Sequence, residues 1–126
     1  MTKSLLFIIW VCLLAFVVAN PPTQQNIIKN FKVSPETVKP GQHVHLTWDR
    51  VTKKSEVLQF FIGHSSGMGH APQKLIGKAN IKDKKAEVKI PSSLTPSTPG
   101  NIWIVEVMVN EKGTLYDVET VNIHVK

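Results

Sequence analysis

Cysteine is almost missing from these 126 residues: the single one, Cys12, lies in an apolar stretch near the N-terminus. The chain beyond residue 19 therefore holds no thiol, which excludes the disulfide framework that small extracellular domains commonly use. Stability must come from packing. Glycosylation sequons are missing as well, since none of the seven asparagines is followed two places on by Ser or Thr. Aromatic residues are scarce: after residue 19 there are six, Phe31, Trp48, Phe60, Phe61, Trp103 and Tyr116. Strand parity assigns Trp48, Trp103 and one of Phe60 and Phe61 to the core. Tyr116 is then the exposed candidate for stacking on a sugar, and a broad stacking platform is excluded.

Catalytic pairings are equally thin. A glycosidase needs two carboxylates roughly 5–10 Å apart in a cleft. Glu106 is the one acid inside a strongly apolar strand. Its parity puts it on an outer sheet face with Ile104 and Met108, where it reads as structural. Ser65, Ser66, Ser92 and Ser93 have no nucleophile-elbow context. No catalytic constellation emerges, and a non-enzymatic protein without a cofactor is expected.

What is present begins with the N-terminus. Lys3 supplies a positive charge, Leu5 to Val18 run almost wholly apolar, and Val17 and Ala19 occupy the −3 and −1 positions before Asn20. This is the layout of a secretory signal peptide. A transmembrane anchor needs about 20 apolar residues, more than this run supplies. The expected organisation is a signal peptide at 1–19 and one domain at 20–126. The expected location is outside the cell, free or in the cell wall, and nucleic acid drops out as a partner. The C-terminal strand carries no anchor signal, so a membrane anchor is not expected in the processed chain.

Charge comes next. Without Lys3 the 15 basic residues become 14 against nine acidic ones, a net +5 for the processed chain. The one local concentration is Lys82, Lys84, Lys85 and Lys89. Such a set attracts anionic polysaccharide, phosphorylated wall glycans or lipid headgroups, or else serves as a solvated, solubilising face.

Period-two alternation recurs beyond residue 26, and no helical stripe persists. Strands are expected at Ile27–Val33, Val44–Trp48, Val57–Ile62, Lys74–Ala79, Ala86–Ile90, Asn101–Asn110 and Val121–Val125. Val38-Lys39-Pro40-Gly41 carries the Pro-Gly pair of a type II turn. Gly63–Gln73 and Ser92–Gly100 read as long loops, the second open to O-glycosylation between Ser92 and Thr98. Seven short strands separated by turn signals indicate an all-β, antiparallel sandwich of immunoglobulin or fibronectin type. Trp48 and Trp103 would sit in comparable places across it, filling the space that a disulfide bridges in antibody domains.

Val33-Ser34-Pro35, Val38-Lys39-Pro40-Gly41 and Val44-His45-Leu46-Thr47-Trp48 resemble the opening of the Ig-like N-terminal domain of fungal cell-wall β-1,6-glucan synthesis proteins. That module also occurs in Ser/Thr-rich, GPI-anchored fungal surface proteins. Phe61-Ile62-Gly63, Leu75-Ile76-Gly77 and Val88-Lys89-Ile90-Pro91-Ser92-Ser93-Leu94 extend the resemblance over about Ile28 to Val109. It implies an Ig-like domain that binds or organises wall glycans or wall proteins, with no catalytic motif. The Ser/Thr-rich stalk of that family has no counterpart after the last strand.

The histidines offer a rival. His43 and His45 share one strand face. His64 and His70 flank Met68 in a glycine-rich segment, and a His/Met set suits copper, or zinc through the imidazoles. A copper oxidase that cleaves polysaccharide would need a histidine at the processed N-terminus, where Asn20-Pro21-Pro22 stands instead. The expectation is a secreted Ig-like wall-binding domain. The alternatives are a secreted interaction protein acting on another cell surface, or a metal carrier using His43, His45, His64 and His70. Oligomeric state is not legible.

Overall fold

The computed structural model describes residues 27–66 and 69–126, so the expected signal segment lies outside the described residues. Eight strands follow one another: β1 Ile28–Ser34, β2 Thr37–Val38, β3 His43–Arg50, β4 Val57–Ser66, β5 Gly69–Asn80, β6 Lys85–Lys89, β7 Ile102–Glu111 and β8 Thr114–Val125. They form a three-stranded sheet, β1-β3-β6, and a five-stranded sheet, β2-β8-β7-β4-β5. The result is an Ig-like β-sandwich. The seven expected strands are all there. The two-residue β2 is an addition, and it pairs parallel to the end of β8.

Alternation explains the layering. Val44, Leu46 and Trp48 of β3, Val88 of β6 and Phe31 and Val33 of β1 point into one core. Leu58, Phe60 and Ile62 of β4, Trp103, Val105, Val107 and Val109 of β7, and Ile123 and Val125 of β8 meet them from the other sheet. Phe60 is the ring at the join, stacked on Phe31 at 6.3 Å and tilted against Trp48 at 5.6 Å. The Trp48 indole N–H donates to the carbonyl of Ile81 at 2.8 Å, so its one polar atom is satisfied inside the core.

This corrects the expected place of Trp103. Its ring contact is with His64, at 5.4 Å and edge-on. The β7 residue opposite Phe60 is Val107, four residues from Trp103, which along a strand is roughly 13 Å. The two tryptophans thus serve different parts of the sandwich, and Phe60 fills its centre.

Two connections shape the ends of β3 and β6. The turn before β3 closes with the Gln42 N–H donating to the Lys39 carbonyl at 3.1 Å, with Gly41 at φ 85 in the position that a type II turn reserves for positive φ. Between β5 and β6, Ile81–Asp83 form a short 3-10 turn capped by the Asn80 side chain, with Lys84 left-handed at φ 61. Within the stretch expected to be a loop, Gly63–Gln73, the described residues instead continue both strands, with Gly63 opposite Ile104 and Ser65 opposite both Ile102 and His70. Small residues hide a strand from pattern reading because the ladder needs only backbone groups, while the pattern needs apolar side chains.

Candidate functional site: a basic sheet face

One side of the three-stranded sheet is open. Along β3 the burial alternates strictly from His43 to Asp49, so His43, His45, Thr47 and Asp49 all face outward. The register sets their neighbours. Lys89 lies opposite His43, Glu87 opposite His45 and Lys85 opposite Thr47. On the other flank Ser34 lies opposite His45, Lys32 opposite Thr47 and Lys29 opposite Asp49. Directly opposed residues on one face have Cβ atoms about 4.5–5.5 Å apart. Four rows therefore cross the face: His43–Lys89, Ser34–His45–Glu87, Lys32–Thr47–Lys85 and Lys29–Asp49.

Polar contacts restrain the two acids. His45 Nε2 lies 3.7 Å from Glu87 Oε1, with both side chains more than half exposed. Asp49 accepts from the Asn30 side-chain amide at 2.7 Å. Asn30 holds a left-handed conformation, φ 55, at an irregularity in the β1 pairing. Arg50, at the end of β3, does not contribute its fork to the face. Its guanidinium donates to the carbonyls of Thr52, Lys53 and Lys54. The formal cations on this face are thus lysines, with the imidazoles of His43 and His45 among them. Between β3 and β6 lies a shallow depression of about 410 Å³ lined by His45, Leu46, Thr47, Lys85, Ala86 and Glu87.

The structure divides the lysine set read from the sequence. Lys85 and Lys89 are on the face, whereas Lys82 sits in the 3-10 turn and Lys84 caps it, both exposed beyond the end of β6. It also adds Lys32 and Thr47, which no local pattern marked. Their signal lay in parity, but the partners of each became visible only with the register.

The four-histidine metal set is not assembled. His43 and His45 face outward on β3, while His64 points at Trp103 and pairs through Nε2 with the Asn101 side-chain carbonyl. The side chain of His70, and Met68 altogether, lie outside the described residues. Among the described residues no group of three His, Cys, Asp or Glu could hold a metal ion. Tyr116 also departs from expectation. It lies opposite Val109, half-buried against the core, so its ring is no open platform.

The second face of the five-stranded sheet differs too. Ile104, Glu106 and Met108 share it as parity required, yet all three are buried, Glu106 completely. Asp117, opposite Met108, is a second buried acid that the sequence did not reveal. The Ser92–Gly100 connection is ordered by its own bonds. The Trp103 indole donates to the Thr95 carbonyl at 2.8 Å, and Val125 donates to the Ser97 hydroxyl at 2.9 Å.

No family model and no curated protein matches the chain. Among solved structures it is similar to the sulfur carrier protein SoxY from Chlorobium limicola f thiosulfatophilum, at 15% identity and a TM-score of 0.48. That alignment covers 85% of this chain and 86% of the other.

Proposed function

We propose that this chain is a non-enzymatic, secreted Ig-like domain that binds an anionic component of the fungal cell wall through the β1-β3-β6 face. One observation carries the reading. Lys29, Lys32, His43, His45, Lys85 and Lys89, from three strands, gather on a single open face. Of the two acids there, one lies beside an imidazole and one accepts from Asn30. Such a face attracts polyanions and has no packing duty of its own. Secretion rests on the signal-peptide layout of residues 1–19, and the fungal wall on the resemblance that spans about Ile28 to Val109. The face offers point charges and hydroxyls in a shallow setting, which suits retention of a ligand.

The test is retention of the secreted protein on isolated fungal walls, together with a glycan array. Retention should be strong at low salt and fall steeply by physiological salt, as the Debye length shrinks from about 30 Å at 0.01 M to about 8 Å at 0.15 M. Retention indifferent to salt would remove the basic face from the mechanism.

A further inference from the structure

We infer that the depression between β3 and β6 is a subsite for a phosphorylated sugar, the phosphate held by Thr47 and Lys85 and the sugar hydroxyls by His45 and Glu87. This rests on the wall-binding reading and names the ligand chemistry for the same face.

Sheet backbone forms the floor of the depression, because Leu46 and Ala86 are paired across the two strands. Its sides are two cross-strand pairs of opposite character. On one side Thr47 supplies a hydroxyl and Lys85 a cation, and Lys32 stands on the far flank of the same threonine. The Lys85 ammonium beside the Thr47 hydroxyl makes a pair of donors for one oxyanion, and Lys32, outside the depression, adds positive charge from the far flank. On the other side His45 and Glu87, 3.7 Å apart, offer a ring N–H and two carboxylate oxygens. That pair matches the donor and acceptor character of sugar hydroxyls.

Two features narrow the class. The cations are point charges, since the guanidinium of Arg50 is committed to backbone carbonyls. Lysine serves a tetrahedral phosphate well, whereas planar carboxylate recognition favours the arginine fork. Glu87 then limits how the charge is distributed along the ligand. A chain with an anion on every residue, such as a polyuronate, would set one carboxylate against Glu87. A sugar with charge at one end and neutral hydroxyls at the other would not. The depression has room for a group of that size, at about 410 Å³.

Titration of the secreted protein with a hexose 6-phosphate, followed by amide chemical shifts, tests the assignment. Binding should move the signals of His45, Thr47, Lys85 and Glu87. Lys85→Gln should weaken it about fivefold, the equivalent of one exposed charge contact. Glu87→Ala should weaken the hexose phosphate while strengthening inorganic phosphate, because it removes the hydroxyl acceptor and the repulsive charge together. These residues are exposed, so unchanged thermal unfolding would confirm that the variants are folded. An oligogalacturonate or a vesicle of anionic lipid binding as well as the hexose phosphate would overturn the inference. So would a Glu87→Ala effect of the same sign on both phosphate probes. Wall retention that is salt-sensitive without any hexose phosphate binding would sink this subsite and leave the wall-binding reading standing.

Discussion

β3 and β7 run through the middle of their respective sheets, yet they treat their second faces in opposite ways. β3 buries Val44, Leu46 and Trp48 and leaves every intervening side chain in solvent. β7 buries Trp103, Val105, Val107 and Val109 toward the core and Ile104, Glu106 and Met108 on the reverse. The difference teaches where this fold leaves room for function. A residue such as Thr47 or His45 is under no packing constraint, so chemistry decides what stands there. Every position of β7 from Trp103 to Val109 answers to its neighbours first. Even the two acids follow this rule: Glu106 and Asp117 are buried and each engages a partner within the molecule, as an acid removed from water must.

The contrast breaks most visibly at Trp48. Replacement by Ala removes a core ring that touches Phe60 and whose N–H bonds to Ile81, and should destabilise by about 3–5 kcal/mol. Total stabilities of ~5–15 kcal/mol are usual, so denaturant unfolding should show a large loss or no folded baseline. A midpoint within experimental error of the parent would place the ring at the surface.

Met108→Ala sharpens the comparison on the reverse face of β7. Because Met108 is only 1% exposed, a loss of about 2–5 kcal/mol is expected. Thr47→Ala, its counterpart on the outward face of β3, should fall within about 0.5 kcal/mol of zero. Equal effects from the two would erase the distinction between the strands. A smaller loss is expected at Gly77, where β5 of one sheet packs on β6 of the other. A Cβ built on Gly77 of β5 would lie 2.7 Å from Cγ1 of the buried Val88 on β6. Valine is stiff at χ1, so Gly77→Ala should cost about 1–3 kcal/mol through overpacking, read as a lowered melting temperature.

The sandwich was legible because its core strands alternate. Val44-His45-Leu46-Thr47-Trp48 states its own two faces, and Val121 to Val125 does the same. The β4–β5 extension escaped because Gly63, Ser65 and Gly69 contribute backbone pairing and no apolar signal. The two-sided burial of β7 was written in Ile102 to Val109, where apolar residues occupy nearly every position, as in strands covered on both faces. Glu106 masked it, since an acid at an alternate position imitates an exposed face. The candidate site was legible only in parts. Lys85, Lys89, His43 and His45 could each be named, but that they share a face with Lys32 and Thr47 is a fact of register. Register depends on pairings between segments about 15 residues apart for β1 with β3 and about 40 for β3 with β6, and no single strand's pattern contains them.

The smallest expected effect on stability is also the one that separates retention from folding. Changing Lys82, Lys84 and Lys85 to Gln removes three exposed charges, two at the 3-10 turn and one on the face. None of the three side chains packs in the core, so the unfolding midpoint should shift by no more than about 0.5 kcal/mol in stability per site. Wall retention at low salt should nonetheless drop, because the positive field at this end of the sheet weakens. The face and the turn then part company by position. If Lys85→Gln alone reproduces most of the drop, the ligand sits on the β3–β6 surface. If the change requires Lys82→Gln and Lys84→Gln, the contact lies beyond the end of β6, and Lys32→Gln should leave retention untouched.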